Sequence, residues 1–321
     1  MKPTPARIAY AVGLAALLVA PFLAYPVLVM KVLCFALFAC AFNLLLGFTG
    51  LLSFGHAAYF GIAAYTAGYA MARMGMPPEA GLLLGTAAGA ALGAVFGALA
   101  IRRQGIYFAM ITLALAQMVY FFCLQAPFTG GEDGLQGVPR GKLFGLLDLS
   151  NDHRLYYVVL AIFVGALWFI HRIVHSPFGQ VLTAIRENEA RALSLGYKIE
   201  RYKLLAFVLS AGLSGLAGAT KTLVLGFATL SDVQWQTSGE VVLMTLVGGV
   251  GTVLGPAVGA AFIVTLQNEL ADKVGPWITV IMGAIFVICV LVFRRGIVGE
   301  GFARLAQIQS GRKPGAAPRR T

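Results

Sequence analysis

The sequence predicts an all-α polytopic membrane protein with about 8–10 transmembrane or re-entrant helical segments, and its helices are broken by glycines in both halves. Hydrophobic residues make up 59% of the 321 residues, charged residues make up 12%, and the mean hydropathy is +0.83. Because soluble domains carry about a quarter charged residues, a soluble fold cannot bury this much apolar surface. The period-two alternation typical of an outer-membrane barrel is absent.

Several apolar runs reach or approach the length of about 20 residues that an α-helix needs to cross the hydrocarbon core. These runs lie near 8–30, 80–101, 106–126, 155–170, 204–226 and 275–293. The first run is long for a signal peptide, contains Pro21 and Pro26, and lacks a small-residue cleavage site, so we expect a retained helix. Glycines interrupt the remaining apolar stretches, 32–72 and 239–271, so each crosses twice or enters and returns.

Lysine and arginine collect on one side of the predicted helices, which sets the orientation by the positive-inside rule. With a cytoplasmic N-terminus, Lys221 falls within a span, and the outer side holds only Lys31, Arg73, Arg140, Lys142, Arg154 and Lys273. The remaining basic residues lie inside, so the C-terminus is also predicted to be cytoplasmic. The net charge of +11 thus follows from membrane orientation, and no nucleic-acid partner is expected.

The same assignment gives the domain organisation. Residues 1–299 form one transmembrane domain, with an external loop at 127–153 and a cytoplasmic segment at 176–203. The external loop is rich in glycine and mixed charges, and a soluble partner could dock on that side. Residues 300–321 are expected to be a disordered, basic cytoplasmic tail whose charges contact anionic membrane lipid.

The residue types that mark metal sites and disulfides are present but scattered. Cys34, Cys40, Cys123 and Cys289 lie in apolar runs without metal-ligand spacing, so they are interpreted as small core residues. His171 and His175 share a helical face but have no third ligand, which favours an interfacial role over a metal site. The sequence therefore predicts no bound metal.

Two glycine-interrupted stretches, one in each half of the chain, are the best candidates for a route through the membrane. They read FNLLLGFTGLLSFGHAAYFGIAAY over 42–65 and GEVVLMTLVGGVGTVLGPAVGAA over 239–261. Broken helices free backbone groups that must face protein or water, whereas close helix packing is the alternative for each glycine taken singly. The candidate pathway residues are Asn43, Gly50, Ser53, His56, Gln117, Gly248, Gly249, Gly251, Gly255 and Pro256.

Ionisable groups within the spans are functional candidates by default. His56 has no obvious partner at helical spacing, which favours an interhelical hydrogen bond over a proton relay. Lys221 lies near the outer end of its helix, where its side chain can snorkel to the interface. Glu240 lies near the start of a broken helix, where an acid complements the helix dipole.

The cytoplasmic stretch 176–207 carries apolar residues at helical spacing, namely Phe178, Val181, Leu182 and Ile185. This spacing predicts a short amphipathic helix outside the membrane, closed by Gly196. On periodicity alone, a helix lying on the inner leaflet is the main alternative.

Five blocks of the sequence resemble the LivM-type permeases of branched-chain amino acid ABC transporters. Besides residues 42–65, they are GIYFAMITLALAQ at 105–117, TGGEDGLQGVP at 129–139, AIRENEARALSLGYKIERYKLLAFVLSAGLSGLAGA at 184–219 and GGVGTVLGPAVGA at 248–260. Together they cover most of 42–260 in the family's order. The resemblance implies a multi-pass permease of the bacterial inner membrane that imports leucine, isoleucine or valine.

The resemblance also implies partners: a homologous LivH-type permease, two cytoplasmic ATPases and a periplasmic substrate-binding protein. The segment 176–196 would dock on an ATPase, although its glycine comes one residue later than usual and Arg191 replaces an alanine. The coupling residues implied are Phe178, Arg186, Glu187, Glu189, Arg191 and Gly196. Because the chain has no GxxxxGK[ST] motif, we expect it to bind no nucleotide cofactor and the partner subunits to hydrolyse ATP.

Three other functions are weighed against this one. Importers of urea or short-chain amides resemble the same family, and the sequence discriminates poorly between these substrates. A secondary carrier driven by an ion gradient would need an ion site near the bilayer midplane, and Glu240, Glu269 and Asp272 are all placed near segment ends. An intramembrane enzyme would need a motif such as GxSxG or HExxH, and neither is present.

Overall fold

The computed structural model describes residues 5–277 except residue 146, and the single positions 280, 281, 283, 284, 287 and 296. The α-helices are α1 Pro5–Leu23, α2 Pro26–Thr49, α3 His56–Ala72, α4 Pro78–Ala100, α5 Ile106–Gln125, α6 Asp152–Val174, α7 Pro177–Glu187, α8 Glu189–Ser194, α9 Ile199–Leu225, α10 Trp235–Gly248 and α11 Gly255–Val274. Within the described part of the chain, five helices, α2, α4, α5, α6 and α9, have the length and apolar composition needed to cross a membrane. The all-α polytopic prediction is confirmed. Most of the helix expected at 275–293, and the whole tail 300–321, lie outside the described residues.

Helix α2 occupies the centre of the molecule. It packs against α6, α9, α10 and α11, and its side chains are buried on every side, including those of Leu37, Phe38 and Phe42. A helix that is apolar all round belongs in a protein core or in lipid, since it has no polar face to present to water, and here other helices surround it. Cys34 and Cys40 of α2 and Cys123 of α5 are buried free thiols, so their core assignment is confirmed. Cys289 lies outside the described residues.

The run expected as one helix over 8–30 is two helices, and that prediction is wrong. Helix α1 ends at Leu23, Tyr25 is extended, and α2 starts at Pro26. Proline has no N–H to donate and disfavours a helical conformation in the residue before it, so Pro26 starts a new helix rather than continuing α1. Helix α2 then takes the first half of the stretch 32–72.

Helices α3, α4 and α9 pack closely through small residues. A methyl group on Gly89 of α4 would lie 3.0 Å from the Cα atom of Gly215 of α9. A methyl group on Gly218 of α9 would lie 2.0 Å from the carbonyl oxygen of Phe60 of α3. At these crossings the absence of a side chain on glycine allows the helix backbones to come into direct contact.

The loop predicted at 127–153 is an ordered cap on the end of α9. A short hairpin pairs β1 Lys142–Leu143 with β2 Leu147–Asp148. Leu135 and Ala228 exchange two backbone hydrogen bonds of 2.9 Å. Arg140 contacts the Asp152 carboxylate at 2.5 Å and the Val224 carbonyl at 3.1 Å. These bonds attach the loop to the connection between α9 and α10.

Lys221 does not snorkel to the interface, so that prediction is wrong. The residue is only 4% exposed, and its Nζ atom lies 2.9 and 2.7 Å from the two carboxylate oxygens of Asp232. Asp232 also accepts a hydrogen bond of 3.0 Å from the N–H of Thr229. A buried charge needs a partner of opposite sign, and Asp232 supplies it from the 3-10 helix Leu230–Asp232.

Candidate functional site

The stretch 239–271 is interrupted at residues 249–254, between α10 and α11, and we call this segment the second break. Asn43 of α2 bonds to it twice: Oδ1 accepts from the N–H of Gly251 at 2.9 Å, and Nδ2 donates to the carbonyl of Thr252 at 2.8 Å. Asn43 is 2% exposed. Its side-chain amide therefore satisfies two backbone groups that no helix satisfies.

Glycines make the second break possible in two different ways. Gly249 has φ +120° and Gly251 has φ +79°, conformations that side chains oppose. Gly248 and Gly259 allow close approach, since a methyl group would lie 2.0 Å from the carbonyl of Gly255 and 1.9 Å from that of Met244, respectively. Pro256 lies in the first turn of α11, where its missing N–H leaves no bond unmade.

The first break, residues 50–55, joins α2 to α3. Gly50 ends α2 in the left-handed conformation, with φ +74°, and its N–H donates to Leu46 at 3.2 Å. The hydroxyl of Ser53 accepts from the N–H of Gly55 at 3.2 Å, and the N–H of Phe54 donates to Thr112 of α5, also at 3.2 Å. Side chains thus replace the backbone partners that the interruption removes.

His56 starts α3 and is fully buried. Its Nε2 atom lies 2.9 Å from the hydroxyl of Ser210 on α9, and Ser210 donates onward to the carbonyl of Ala41 at 2.6 Å. The predicted interhelical hydrogen bond is confirmed. Aromatic rings enclose the imidazole, with the ring centroids of Phe42 and Tyr59 at 4.9 and 5.6 Å. These contacts fix the start of α3 against α2 and α9.

A hydrogen bond between α3 and α10, the helices adjoining the two breaks, is a further link that the sequence did not predict. Ser238 of α10 accepts a 2.9 Å hydrogen bond from the N–H of Ala57. Gln117 lies five residues beyond Thr112 on α5, and among the described residues no hydrogen bond connects it to either break. Glu240 lies in the second turn of α10, which starts at Trp235, so its predicted role at the helix N-terminus is wrong.

The segment predicted to lie in the cytoplasm forms two short helices, α7 and α8, instead of the one predicted. Ser176 caps α7, and Asn188 caps α8 by accepting from the N–H of Arg191 at 2.9 Å. The interruption at Asn188 explains the difference, because an extended N-cap residue cannot also continue a helix. Gly196 has φ +85° and follows Leu195, the C-cap residue of α8, as expected for a helix-ending glycine.

Arg186 reaches from α7 to both breaks. Its Nη1 atom donates to the carbonyl of Gly47 in the last turns of α2. A methyl group on Gly50 would lie 3.2 Å from its Cγ atom, and one on Gly251 would lie 3.5 Å from Nη1. The side chain therefore lies across the point where the two breaks meet.

Glu189 also faces the helical body of its own chain. Its carboxylate contacts Nζ of Lys203 on α9 at 2.7 Å and Nε2 of Gln104 at 2.9 Å. Phe178 stacks on Tyr202 of α9 with a centroid distance of 5.7 Å. Glu187, Arg191 and Gly196 are exposed and bond to no other helix through their side chains within the described residues, and Leu193 and Leu195 beside them are exposed as well. The coupling residues predicted from the sequence thus divide into an inward set and an outward set.

The family assignment follows from comparison with known proteins. A family model for the permease component of the branched-chain amino acid transport system matches residues 26–291. The chain belongs to this family. The family consists of transport permease components and is not an enzyme family. Together with the five long apolar helices of this chain, membership identifies a multi-pass protein of the inner membrane.

Curated relatives of this permease fall into two groups. It is 28% identical over 285 residues to the high-affinity branched-chain amino acid permease proteins LivM of Escherichia coli strain K12 and Salmonella typhimurium strain LT2. Those alignments cover 80% of this chain, which spans 65% of the length of these relatives. It is also 28% identical over 195 residues to the autoinducer 2 import permease LsrC of Klebsiella pneumoniae, covering 57% of this chain and 53% of that protein. No solved structure matches the chain.

Proposed function

We propose that this chain is the permease subunit of an ABC importer that moves leucine, isoleucine and valine across the inner membrane. Membership of the family and similarity to LivM over 80% of the chain support the substrate class. The observation that carries the transport mechanism is the meeting of the two breaks with Arg186 of α7. There the two breaks, which are the candidate transport pathway, contact α7, the helix proposed to transmit movement of the ATPases.

The proposed orientation places both termini, α7 and α8 in the cytoplasm. Arg172, Arg186, Arg191, Lys198 and Arg201 cluster around these two helices, as the positive-inside rule requires. The loop 127–153 then lies outside. Since 24 basic residues oppose 13 acidic ones in the chain, their sidedness is a strong determinant of insertion.

The partners proposed are a homologous LivH-type permease, two cytoplasmic ATPases and a periplasmic binding protein. The outward side chains Leu193 and Leu195 are 64% and 69% exposed, which makes α8 and its end an apolar docking surface for an ATPase. The ordered cap at 127–153 is the proposed contact with the binding protein. This chain supplies no P-loop, so ATP is hydrolysed by the partner subunits.

The two breaks act in this proposal as the cytoplasmic gate. In the described state Asn43 holds the second break against α2, and Gly50 and Gly251 lie beside the coupling helix α7. ATP binding that shifts α7 would favour a second arrangement of the same glycines. Alternating access requires such a two-state element, biased by the ATPases at one end and by the loaded binding protein at the other.

The LsrC relatives raise a second substrate class, because that permease imports autoinducer 2. Urea or a short-chain amide is a third. These candidates share the architecture and differ in cargo. A secondary carrier is disfavoured, because Lys221 and Asp232 neutralise each other in a buried ion pair and leave no free charge there for a coupling ion.

The test is uptake into proteoliposomes that contain this chain with its co-purified partners. Labelled leucine, urea and autoinducer 2 are supplied outside, with and without internal ATP and added binding protein. The proposal predicts leucine uptake that requires both ATP and binding protein. ATP-dependent uptake of another probe alone would keep the architecture and replace the substrate, whereas uptake driven by an ion gradient without ATP would refute the importer.

A further inference from the structure

We propose that Arg186 is the positioning residue through which movement of α7 reaches both breaks, an inference that rests on the proposed function. Arg186 lies in the last turn of α7, and its guanidinium leaves that helix to bond to α2. Among the described residues, no other side chain of α7 or α8 hydrogen-bonds to either break or to α2. The contact is thus the polar link between the coupling segment and the gate.

The bond satisfies a specific need of α2. The last four carbonyls of a helix have no intrahelical partner, and Gly47 belongs to the final turn of α2 before Thr49. The N–H groups of Gly50 and Leu51 bond instead to Leu46 and Leu45. The carbonyl of Gly47 is left for Arg186, and a cation at this end also complements the helix dipole. Displacing α7 therefore leaves that carbonyl without its donor.

The side chain of Arg186 also lies against the second break. A methyl group on Gly47 would lie 2.8 Å from the N–H nitrogen of Gly251, so α2 and the second break touch backbone to backbone. Nη1 of Arg186 lies beside that contact, 3.5 Å from a methyl group on Gly251. Because close-packed contacts change in discrete steps, a shift of Arg186 repositions Gly47 and Gly251 together.

The rest of α7 is built to move as one piece. Pro177 and the Ser176 cap stiffen its start, and Leu182 and Ile185 bury its apolar face. Gly179 fits against the end of α6, where a methyl group would lie 2.2 Å from the carbonyl of Val174. Because α7 is rigid and one of its polar side chains extends to the two breaks, a displacement of α7 would be transmitted to them.

The experiment uses the full complex of this chain with its ATPases, in nanodiscs and in proteoliposomes. The variants are Arg186→Ala, Arg186→Lys and, as the matched control, Arg201→Ala. Arg201 is also exposed and lies in the first turn of α9, shortly after α8. Its side chain makes no hydrogen bond or ion pair within the described residues. The readouts are ATP hydrolysis, leucine uptake, and amide deuterium exchange of residues 249–254 with and without ATP and vanadate.

In the wild type we expect ATP and vanadate to change exchange at 249–254. Arg186→Ala should hydrolyse ATP but lose this change, and its uptake should fall by about tenfold, as expected for loss of a hydrogen bond to a charged group. Arg186→Lys keeps a charge and a donor and should recover part of both signals, while Arg201→Ala should match the wild type. A role in folding alone would instead lower assembly and hydrolysis together.

The inference and the proposed function can be tested separately, because loss of coupling in Arg186→Ala is measured against a wild-type complex that transports leucine. If the wild type transports leucine with ATP and Arg186→Ala keeps both its exchange change and its uptake, the inference is refuted and the importer stands. If Arg186→Ala does not assemble, a fully wild-type exchange response in assembled Arg186→Met, which has neither a charge nor a hydrogen-bond donor, refutes it equally. A wild-type complex with neither ATP hydrolysis nor uptake refutes the proposed function and the inference with it.

Discussion

Asn43 and Gly251, which lie far apart in the sequence, are joined by a hydrogen bond of 2.9 Å from the Gly251 N–H to Oδ1 of Asn43. The Nδ2 atom of the same side chain donates to the next carbonyl, that of Thr252, at 2.8 Å. One buried amide thus makes the donor and acceptor contacts that a neighbouring strand would make. It fixes the second break to α2, whose own end forms the first break.

Replacing Asn43 with alanine should destabilise the protein. The N–H of Gly251 and the carbonyl of Thr252 would lose their partners in a buried site, which costs about 1–3 kcal/mol for an unsatisfied group. The matched control is Asn268→Ala, since Asn268 is exposed on α11. Thermal unfolding in detergent checks the prediction, and equal melting temperatures for the two variants would contradict it.

The glycine at the crossing of α3 and α9 should not tolerate a methyl group. In Gly218→Ala the new Cβ would lie 2.0 Å from a backbone carbonyl, which cannot rotate away, so the helices must separate. Overpacking of this kind costs about 1–3 kcal/mol. Gly165→Ala is the control, because nothing lies within 4 Å of its added methyl group. If Gly218→Ala unfolded at the same temperature as Gly165→Ala or at a higher one, the close packing of α3 against α9 at Gly218 would be contradicted.

The Lys221–Asp232 pair should behave as a buried ion pair. Lys221→Met leaves the Asp232 carboxylate buried without its cation, and breaking such a pair costs about 3–5 kcal/mol. Adding Asp232→Asn removes the stranded charge while keeping an acceptor for Thr229, so the double variant should recover much of the loss. A double-mutant cycle of unfolding free energies measures the coupling. Additive effects would mean that the two residues do not interact.

Charges placed on the outward surface of α8 should weaken ATPase binding. Leu193→Glu with Leu195→Glu puts two carboxylates on the proposed docking surface without touching the bonds of Glu189 or Arg186. We expect the permease to fold and the ATPases to be lost on co-purification. Phe144→Glu, on a residue 71% exposed in the β1–β2 hairpin, should retain them. Full recovery of ATPase with the α8 variant would exclude this surface.

Hydrophobic pattern and glycine position were enough to predict the fold class and the two breaks. Membrane helices are long and apolar, and Gly50 and Gly251 lie where the chain must adopt positive φ, so both signals are local in the sequence. The same locality misled the prediction at 8–30, where Pro26 separates two apolar runs that are continuous in composition.

The contacts that assemble the site depend on residues distant in sequence and could not be read from local pattern. Asp232 lies outside the predicted spans, so nothing marked it as the partner of Lys221. Arg186 and Glu189 are assigned to an ATPase contact by the resemblance to LivM-type permeases, which does not show which side of the segment faces its own chain. In the structure Arg186 bonds to the carbonyl of Gly47, and Glu189 bonds to the ammonium group of Lys203. Both charged groups face inward because the membrane helices offer them polar partners. Ser210 and Ser238 looked like ordinary small residues of apolar helices.

The central claim is that α7 and α8 lie in the cytoplasm beside the gate, and cysteine labelling of intact cells tests it most directly. Glu187→Cys is exposed beside Arg186, and Phe144→Cys is exposed in the β1–β2 hairpin, which the proposal places outside. The native Cys34, Cys40 and Cys123 are buried, and the unsubstituted chain reports any background from Cys289. With a membrane-impermeant maleimide, we expect Phe144→Cys to react in cells whose outer membrane alone is permeabilised. Glu187→Cys should react only after the inner membrane is opened. Reaction of Glu187→Cys from outside would place the coupling segment away from any ATPase and contradict the account.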